Sequence, residues 1–177
     1  MTAARVVVGD ITRLDEQGEA VDAVVNAANE RLAAGSGVCG AIFAAAGPRE
    51  LSEACDRLGG CPTGSAVATP AFALDTHGVR HVVHAVGPVF GAHDPAEADR
   101  LLAEAYRSAL RVAEELGAAR LAVPAISTGV YGFPEARAAA IAVAEVLGHT
   151  GALVEVLLVA FDQRAGAVLS AALADAG

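Results

Sequence analysis

The sequence predicts a single three-layer α/β/α domain, spanning residues 1–177, with a mostly parallel central sheet. Short apolar runs that look like strands alternate along the chain with runs of helical period. The last apolar run, residues 154–160, is nearly continuous, which is typical of a strand buried on both faces. Glycine-rich or polar stretches follow the strand-like runs, where an α/β sheet places its ligand.

In the first half of the chain, glycines and prolines that interrupt secondary structure separate the predicted strands and helices. Gly47-Pro48 ends one helical pattern, Gly59-Gly60 a second, and Pro70 stops a strand. The predicted strands are residues 5–8, 21–25, 64–69 and 81–85, and the predicted helices are residues 38–46 and 49–58.

The second half continues the alternation. Pro95 and Pro134 each stand where a proline is tolerated, in the first turn of a helix, and Gly117 and Gly148 stand where helices end. Helices are therefore predicted from Pro95 to Gly117, from Pro134 to Gly148 and over residues 164–174, with strands over residues 121–125 and 154–160.

Composition narrows the function classes. The net charge is −9, and all 12 basic residues are scattered arginines, so the clustered cations of a nucleic-acid-binding surface are missing. With no lysine, a lysyl nucleophile is excluded. No apolar run approaches the roughly 18 residues of a membrane span, and the first residues lead directly into a strand-like run. We expect a cytoplasmic protein without a membrane partner.

The three cysteines do not predict a structural metal or a disulfide framework. Cys39, Cys55 and Cys61 form no C-x-x-C pair, and no histidine stands at zinc spacing from them. Cys55 and Cys61 are interpreted as buried thiols.

Two candidate adenine contacts follow strand-like runs. Asp10 could accept a hydrogen bond from an exocyclic amine, or it could simply cap the next turn. Phe161 could stack on a planar base, or it could be an ordinary core residue. Together the two side chains would supply an edge contact and a face contact.

Two loops predict a diphosphate site. Asn26 and Asn29 could hold their loop by side-chain bonds to the backbone or could bind sugar hydroxyls. The glycine-rich residues 35–40 then lead into a helix, and a second such loop covers residues 127–133. Backbone N–H groups in loops of this kind bind phosphate without cationic side chains, so even an acidic protein can use them.

These stretches resemble the macrodomain family, in its MacroD-type group. The matching segments are Gly9-Asp10-Ile11-Thr12, residues 24–29, 35–42 and 63–64, His84-Ala85-Val86-Gly87-Pro88, and residues 126–134, in the family's order. The resemblance implies a mixed, mostly parallel sheet, ADP-ribose and mono-ADP-ribosylated proteins as partners, and neither metal nor cofactor. It implies the following ligand-binding residues: Asp10, Ile11, Asn26, Ala27, Asn29, Gly37, Val38, Cys39, Gly40, Ser127, Thr128, Gly129, Val130, Tyr131 and Phe161.

The family's activity is hydrolysis of the ester between ADP-ribose and a protein Glu or Asp side chain, or of O-acetyl-ADP-ribose. Asn29 and Cys39 are the implied catalytic residues, but the family motif has Asp at the place of Cys39 and His at that of Phe43. Cys39 could be a nucleophile, with His84 a conceivable neighbour, or an apolar filler in a substrate-assisted hydrolase. A non-catalytic ADP-ribose reader is the alternative. A dinucleotide oxidoreductase is disfavoured, because the first strand–helix turn lacks G-x-G-x-x-G.

Overall fold

The computed structural model describes residues 2–177, and a six-stranded sheet forms its centre. The strands are β1 (Ala3–Val8), β2 (Ala23–Ala28), β3 (Ala66–Pro70), β4 (His81–Val86), β5 (Arg120–Pro124) and β6 (Glu155–Ala160). Their order is β1-β6-β5-β2-β4-β3. Every pairing is parallel except that between β3 and β4, which is antiparallel. The predicted three-layer fold with a mixed, mostly parallel sheet is therefore confirmed.

Five helices cover the sheet: α1 (Gly37–Ala46), α2 (Pro48–Leu58), α3 (Pro95–Glu115), α4 (Glu135–Gly148) and α5 (Gln163–Asp175). Prolines begin α2 and α3 because proline lacks a backbone N–H, and an N–H in the first turn would have no helical partner in any case. The carboxylate of Asp94 accepts a bond from the Glu97 N–H at the start of α3, and that of Asp162 does the same for Ala165 in α5. No helix among residues 2–177 is long and apolar enough to cross a membrane.

Alternation along the strands gives each sheet face its own core. Val25, Val83 and Leu158 pack beneath α3, α4 and α5, whereas their neighbours Val24, Val82 and Leu157 pack beneath α1 and α2. Because successive strand side chains point to opposite faces, both faces must be apolar and covered. The central strands are consequently almost completely buried.

One strand extends further than predicted. The predicted run ended at residue 25, but β2 continues through Asn26 to Ala28, paired in parallel with β4. Asn26 stands opposite His84 in this ladder and is 1% exposed. A single polar residue in an apolar run therefore does not end the strand, because it finds its polar partner on the neighbouring strand.

The parallel arrangement brings five strand ends to one edge of the sheet. The residues that follow β1, β6, β5, β2 and β4 all lie there, and they surround a cleft of about 650 Å³. The sheet thereby gathers segments that are far apart in sequence around a single opening.

Candidate ligand-binding cleft

Asp10 and Phe161 leave the sheet side by side. Val8 pairs with Ala160, and the Gly9 N–H donates to the Ala160 carbonyl at 2.9 Å, so the next residue of each strand enters the cleft. Phe161 is 86% exposed, so the alternative of a core phenylalanine is wrong. Its ring offers an uncovered face for a planar group.

The two oxygens of the Asp10 carboxylate differ in their hydrogen bonds. Oδ1 accepts from the Thr12 N–H at 2.9 Å and from the Thr12 hydroxyl at 2.7 Å, which closes a local turn. Oδ2 accepts no hydrogen bond in the structure. The interpretation of Asp10 as a cap of the next turn is therefore confirmed. Asp10 also lines the cleft beside Ile11, and its contact with an exocyclic amine stays a prediction.

Two segments of unpaired amides line the central part of the cleft. We call residues 35–39 the glycine loop and residues 127–131 the serine loop. None of the N–H groups of either loop donates a hydrogen bond within the described chain. Those of Gly37, Val38 and Cys39 begin α1, where the helix dipole favours an anion.

The serine loop is held in an unusual backbone conformation. Ser127 has φ 67°, which a non-glycine residue adopts only when its surroundings impose it. Its carbonyl accepts from the Phe133 N–H at 2.9 Å, and the Thr128 hydroxyl donates to the Ala125 carbonyl at 3.0 Å. The Ser127 hydroxyl is buried, lines the cleft and has no partner. An unpaired buried hydroxyl in a cleft indicates a place for a polar ligand.

Two glycines make the close approaches that shape the cleft. A Cβ at Gly87, after β4, would lie 2.5 Å from Cγ2 of Ile126. A Cβ at Gly40 would lie 2.6 Å from the Gly35 carbonyl oxygen. Gly40 itself does not line the cleft, which corrects the prediction that it contacts ligand. It lets the glycine loop fold closely against α1.

Asn29 lines the cleft and holds its own loop. Its Nδ2 donates to the Ala33 carbonyl at 2.9 Å, and its Oδ1 accepts from the Ala33 N–H at 3.1 Å. The predicted alternative of side-chain bonds to the backbone is therefore realised. The amide is fixed in place after β2, whereas Phe161 follows β6, two strands away in the sheet.

Asn26 is not in the cleft wall, contrary to prediction. Its side chain points into the sheet face beneath α1, where Nδ2 lies 3.1 Å from His84 Nδ1 and 3.7 Å from Cys39 Sγ. It thus bonds to both His84 and Cys39, whereas the hydrogen-bond partners of His84 within residues 2–177 are Asn26, Cys55 and Thr69. Burial lowers the pKa of His84 to about 4, so the ring is neutral at pH 7.

Cys39 and Phe43 occupy different environments. Cys39 is 5% exposed and lines the cleft, with its thiol 3.8 Å from the Ala33 carbonyl. Phe43 is 2% exposed and packs in the core beneath α1, away from the lining. Burial raises the pKa of the Cys55 thiol to about 11 and raises that of Cys61, as expected for inert buried thiols.

Tyr131 completes the Asn29 end of the cleft. Burial, followed by the nearby charge of Glu30, raises the pKa of its hydroxyl, which stays protonated at pH 7. Among residues 2–177, no group of three or more His, Cys, Asp or Glu side chains could hold a metal ion. The lining of the cleft offers backbone amides, hydroxyls, the Asp10 carboxylate, the Cys39 thiol and aromatic rings.

Sequence reasoning missed one support of the site. The Tyr106 hydroxyl donates to the Pro124 carbonyl at 3.2 Å and accepts from the Ile126 N–H at 3.0 Å, which anchors the strand end that leads into the serine loop. In the sequence, Tyr106 is only one apolar position of the helical pattern of α3. No local signal distinguishes it.

Comparison with known proteins yields one consistent family. A family model described as Macro domain matches residues 25–142. A "Macro domain-containing protein" of Streptomyces coelicolor is 47% identical over 179 residues, covering 98% of this chain and 99% of its own length. A protein of Escherichia fergusonii named "O-acetyl-ADP-ribose deacetylase" is 52% identical over 144 residues, covering 78% of this chain and 75% of its own.

Comparison with solved structures indicates the same family as the sequence comparison. A mutant macrodomain of Oceanobacillus iheyensis, solved with ADPR (ADP-ribose), superposes with a TM-score of 0.88 at 36% identity. The match covers 98% of this chain and 92% of the other. Similarity therefore extends over sequence, fold and nearly the whole length of both chains.

Proposed function

This chain belongs to the Macro domain family, and on that premise we propose that its cleft binds ADP-ribose and hydrolyses esters of it. The observation that carries the proposal is the pair of unpaired amide segments, the glycine loop and the serine loop. A diphosphate would accept hydrogen bonds from both. Such bonds to a charged group contribute about 1.5–3 kcal/mol each, and they need no cationic side chain.

The remaining parts of ADP-ribose have matching partners at the two ends of the cleft. The free Oδ2 of Asp10 would accept from the adenine amine, and the exposed ring of Phe161 would stack on the base. Asn29 and Tyr131 would lie against the distal ribose. The O. iheyensis macrodomain solved with ADPR supports this ligand.

The reaction that we propose is ester hydrolysis at the distal ribose. Water cleaves the bond between the acyl carbon and the ribose oxygen, which releases ADP-ribose and a carboxylate. The acyl group is a Glu or Asp side chain of a modified protein, with O-acetyl-ADP-ribose as a second substrate. The name of the E. fergusonii relative supports the second activity.

The contacts of Cys39 favour a substrate-assisted mechanism. A thiol nucleophile is activated by an adjacent base or cation, or by a helix N-terminus. This thiol stands in the first turn of α1, but its hydrogen-bond partners are the Asn26 amide and the Ala33 carbonyl, neither of which is a base or a cation. The bound diphosphate and the loop amides would instead position the attacking water. The fixed Asn29 amide would orient the ribose, and orientation alone lowers barriers by several kcal/mol.

One observation favours a second candidate, an ADP-ribose reader without turnover. Around Asn29, the titratable side chains that line the cleft are Cys39 and Tyr131. Neither is a carboxylate or an imidazole, so the chain supplies no ordinary general base there.

Calorimetric titration with ADP-ribose, followed by incubation with a protein mono-ADP-ribosylated on glutamate, separates the two candidates. Binding with release of label supports the hydrolase, and binding without release supports the reader. Loss of turnover in Asn29→Ala, with ADP-ribose affinity retained, would support ribose orientation by this amide. Cys39→Ala should turn over like the wild type. If ADP-ribose does not bind, the proposal fails.

A further inference from the structure

Most arginines of this chain are paired with carboxylates. Ten of the twelve have a carboxylate oxygen within 4.0 Å, namely Arg5, Arg13, Arg49, Arg80, Arg100, Arg107, Arg111, Arg120, Arg137 and Arg164. Within residues 2–177, Arg31 and Arg57 are the two that have none, and both are exposed. In a chain with 21 acidic residues, an arginine without an internal partner is available to an external one.

Arg31 lies in the same turn as Asn29, a residue of the cleft lining. The Leu32 N–H donates to the Asn29 carbonyl at 2.9 Å, so residues 29–32 form a turn with Arg31 at its third position. The first residue of this turn, Asn29, lines the cleft. Arg31 therefore lies two residues from the group that would face the distal ribose.

The turn presents Arg31 from a rigid base. Asn29 bonds to both backbone groups of Ala33, and Leu32 adopts φ 55° while its side chain is 2% exposed in the core. Such a backbone conformation costs a leucine of order 1–2 kcal/mol, which burial of the side chain offsets. The backbone of Arg31 is consequently held by its neighbours in the turn.

The neighbouring Glu30 is held elsewhere. Its carboxylate accepts from the Thr63 hydroxyl at 2.8 Å and from the Thr63 N–H at 3.2 Å, and its carbonyl accepts from the Cys61 N–H at 2.9 Å. These bonds tie the turn to the segment after α2. The Glu30 carboxylate is thus bonded to Thr63, and it forms no ion pair with Arg31 within residues 2–177.

We infer that Arg31 is a docking residue for an acidic segment of the ADP-ribosylated protein. This rests on the proposed function, because the acyl chain of a protein ester would leave the cleft at its Asn29 end, beside Arg31. Carboxylates that flank the modified residue would pair with the guanidinium. A chain of net charge −9 repels acidic segments at long range, and a free arginine in the turn of Asn29 counters that repulsion where the substrate enters.

Two synthetic peptides test this inference. Each carries ADP-ribose on one residue through a stable amide linkage; one has Asp and Glu at the flanking positions, and the other has Ser and Asn. With wild-type protein at low salt, we expect the acidic peptide to bind about 3- to 10-fold more tightly, with a smaller difference at high salt. Free ADP-ribose is titrated in parallel.

Arg31→Gln should abolish the preference for the acidic peptide and leave the affinity for free ADP-ribose unchanged. Arg57→Gln is the matched control, because it removes the same charge from the other exposed, unpaired arginine; it should keep the preference. An unchanged preference in Arg31→Gln would overturn the inference, and so would an equal loss in both variants. Lack of preference in a wild type that binds ADP-ribose overturns the inference alone, whereas failure to bind ADP-ribose overturns the proposed function as well.

Discussion

Asn26 and His84 form a buried pair behind the wall of the cleft, with 3.1 Å between Nδ2 and Nδ1. In this arrangement His84 Nδ1 accepts, so Nε2 carries the proton and donates to the Thr69 hydroxyl at 3.0 Å. The same Asn26 Nδ2 lies 3.7 Å from Cys39 Sγ. The wall therefore presents an N–H donor to whatever side chain stands at position 39.

Cys39→Asp should raise turnover of a glutamate ADP-ribose ester by about 10-fold or more, because a carboxylate there can accept a proton from water. The Asn26 N–H would hold that carboxylate. Single-turnover release of labelled ADP-ribose measures the effect. Cys39→Asn has the same shape without the charge, and an equal gain in that variant would exclude the base explanation. Adding Asn26→Ala should remove most of the gain.

His84 should make stability depend on pH. Its pKa is about 4 in the folded protein and about 6.5 when unfolded, so between these values the unfolded chain binds more protons. Stability is then complete above pH 6.5 and falls as the pH drops toward 4, by on the order of 3 kcal/mol. Urea unfolding of wild type and His84→Gln across this window checks the slope. An identical slope in the variant would contradict the assignment to His84.

Asp10→Asn should change the preference for the base. The Asn can keep one oxygen on Thr12 while its NH₂ faces the ligand, where it opposes the adenine amine but matches the carbonyl of hypoxanthine. We expect weaker binding of ADP-ribose and a smaller penalty for the inosine analogue, measured by calorimetry. Asp75→Asn, at an exposed position outside the cleft, is the control. Equal losses for both ligands would argue against an edge contact by Asp10.

Ser127→Ala should stabilise the empty protein and weaken the complex. Removing a buried hydroxyl without a partner should raise the free energy of unfolding by about 1 kcal/mol, whereas ADP-ribose affinity should fall about 10-fold. Thermal unfolding with and without ADP-ribose measures both effects. Ser170→Ala, at an exposed site on α5, should change neither. A less stable empty variant would show that the hydroxyl has a structural partner.

The fold was predictable because its signals are local. Prolines begin α2 and α3, and glycines cap the ends of α1 and α2. With such signals beside apolar runs of strand length, the predicted α1 over residues 38–46 differs from Gly37–Ala46 by one residue. Local patterns do not report which strands pair. The family resemblance implied a mixed sheet, but it was not predicted that β3 would be the antiparallel strand, since residues 64–69 look like any other strand.

The candidate site was predictable where backbone composition defines it, and less so where side chains meet across the sheet. The glycine loop and the serine loop line the cleft as expected. Asn26 was misplaced because its partner, His84, lies 58 residues away on another strand. The Asp10 alternatives could not be separated from sequence, since a carboxylate has two oxygens and the structure uses one for the turn.

In the proposed site, the donors to phosphate are backbone N–H groups of the glycine loop and the serine loop rather than side chains. Every residue type except proline carries the same N–H group, so most substitutions of the loop side chains leave the phosphate-binding donors intact. A substitution that displaces these donors must bend the backbone. A side chain at Gly40 or Gly87 would do so, because a Cβ has no room at either position. The backbone donors of the two loops are in this sense mutationally robust, and they are most sensitive to changes at the glycines that let the backbone pack closely.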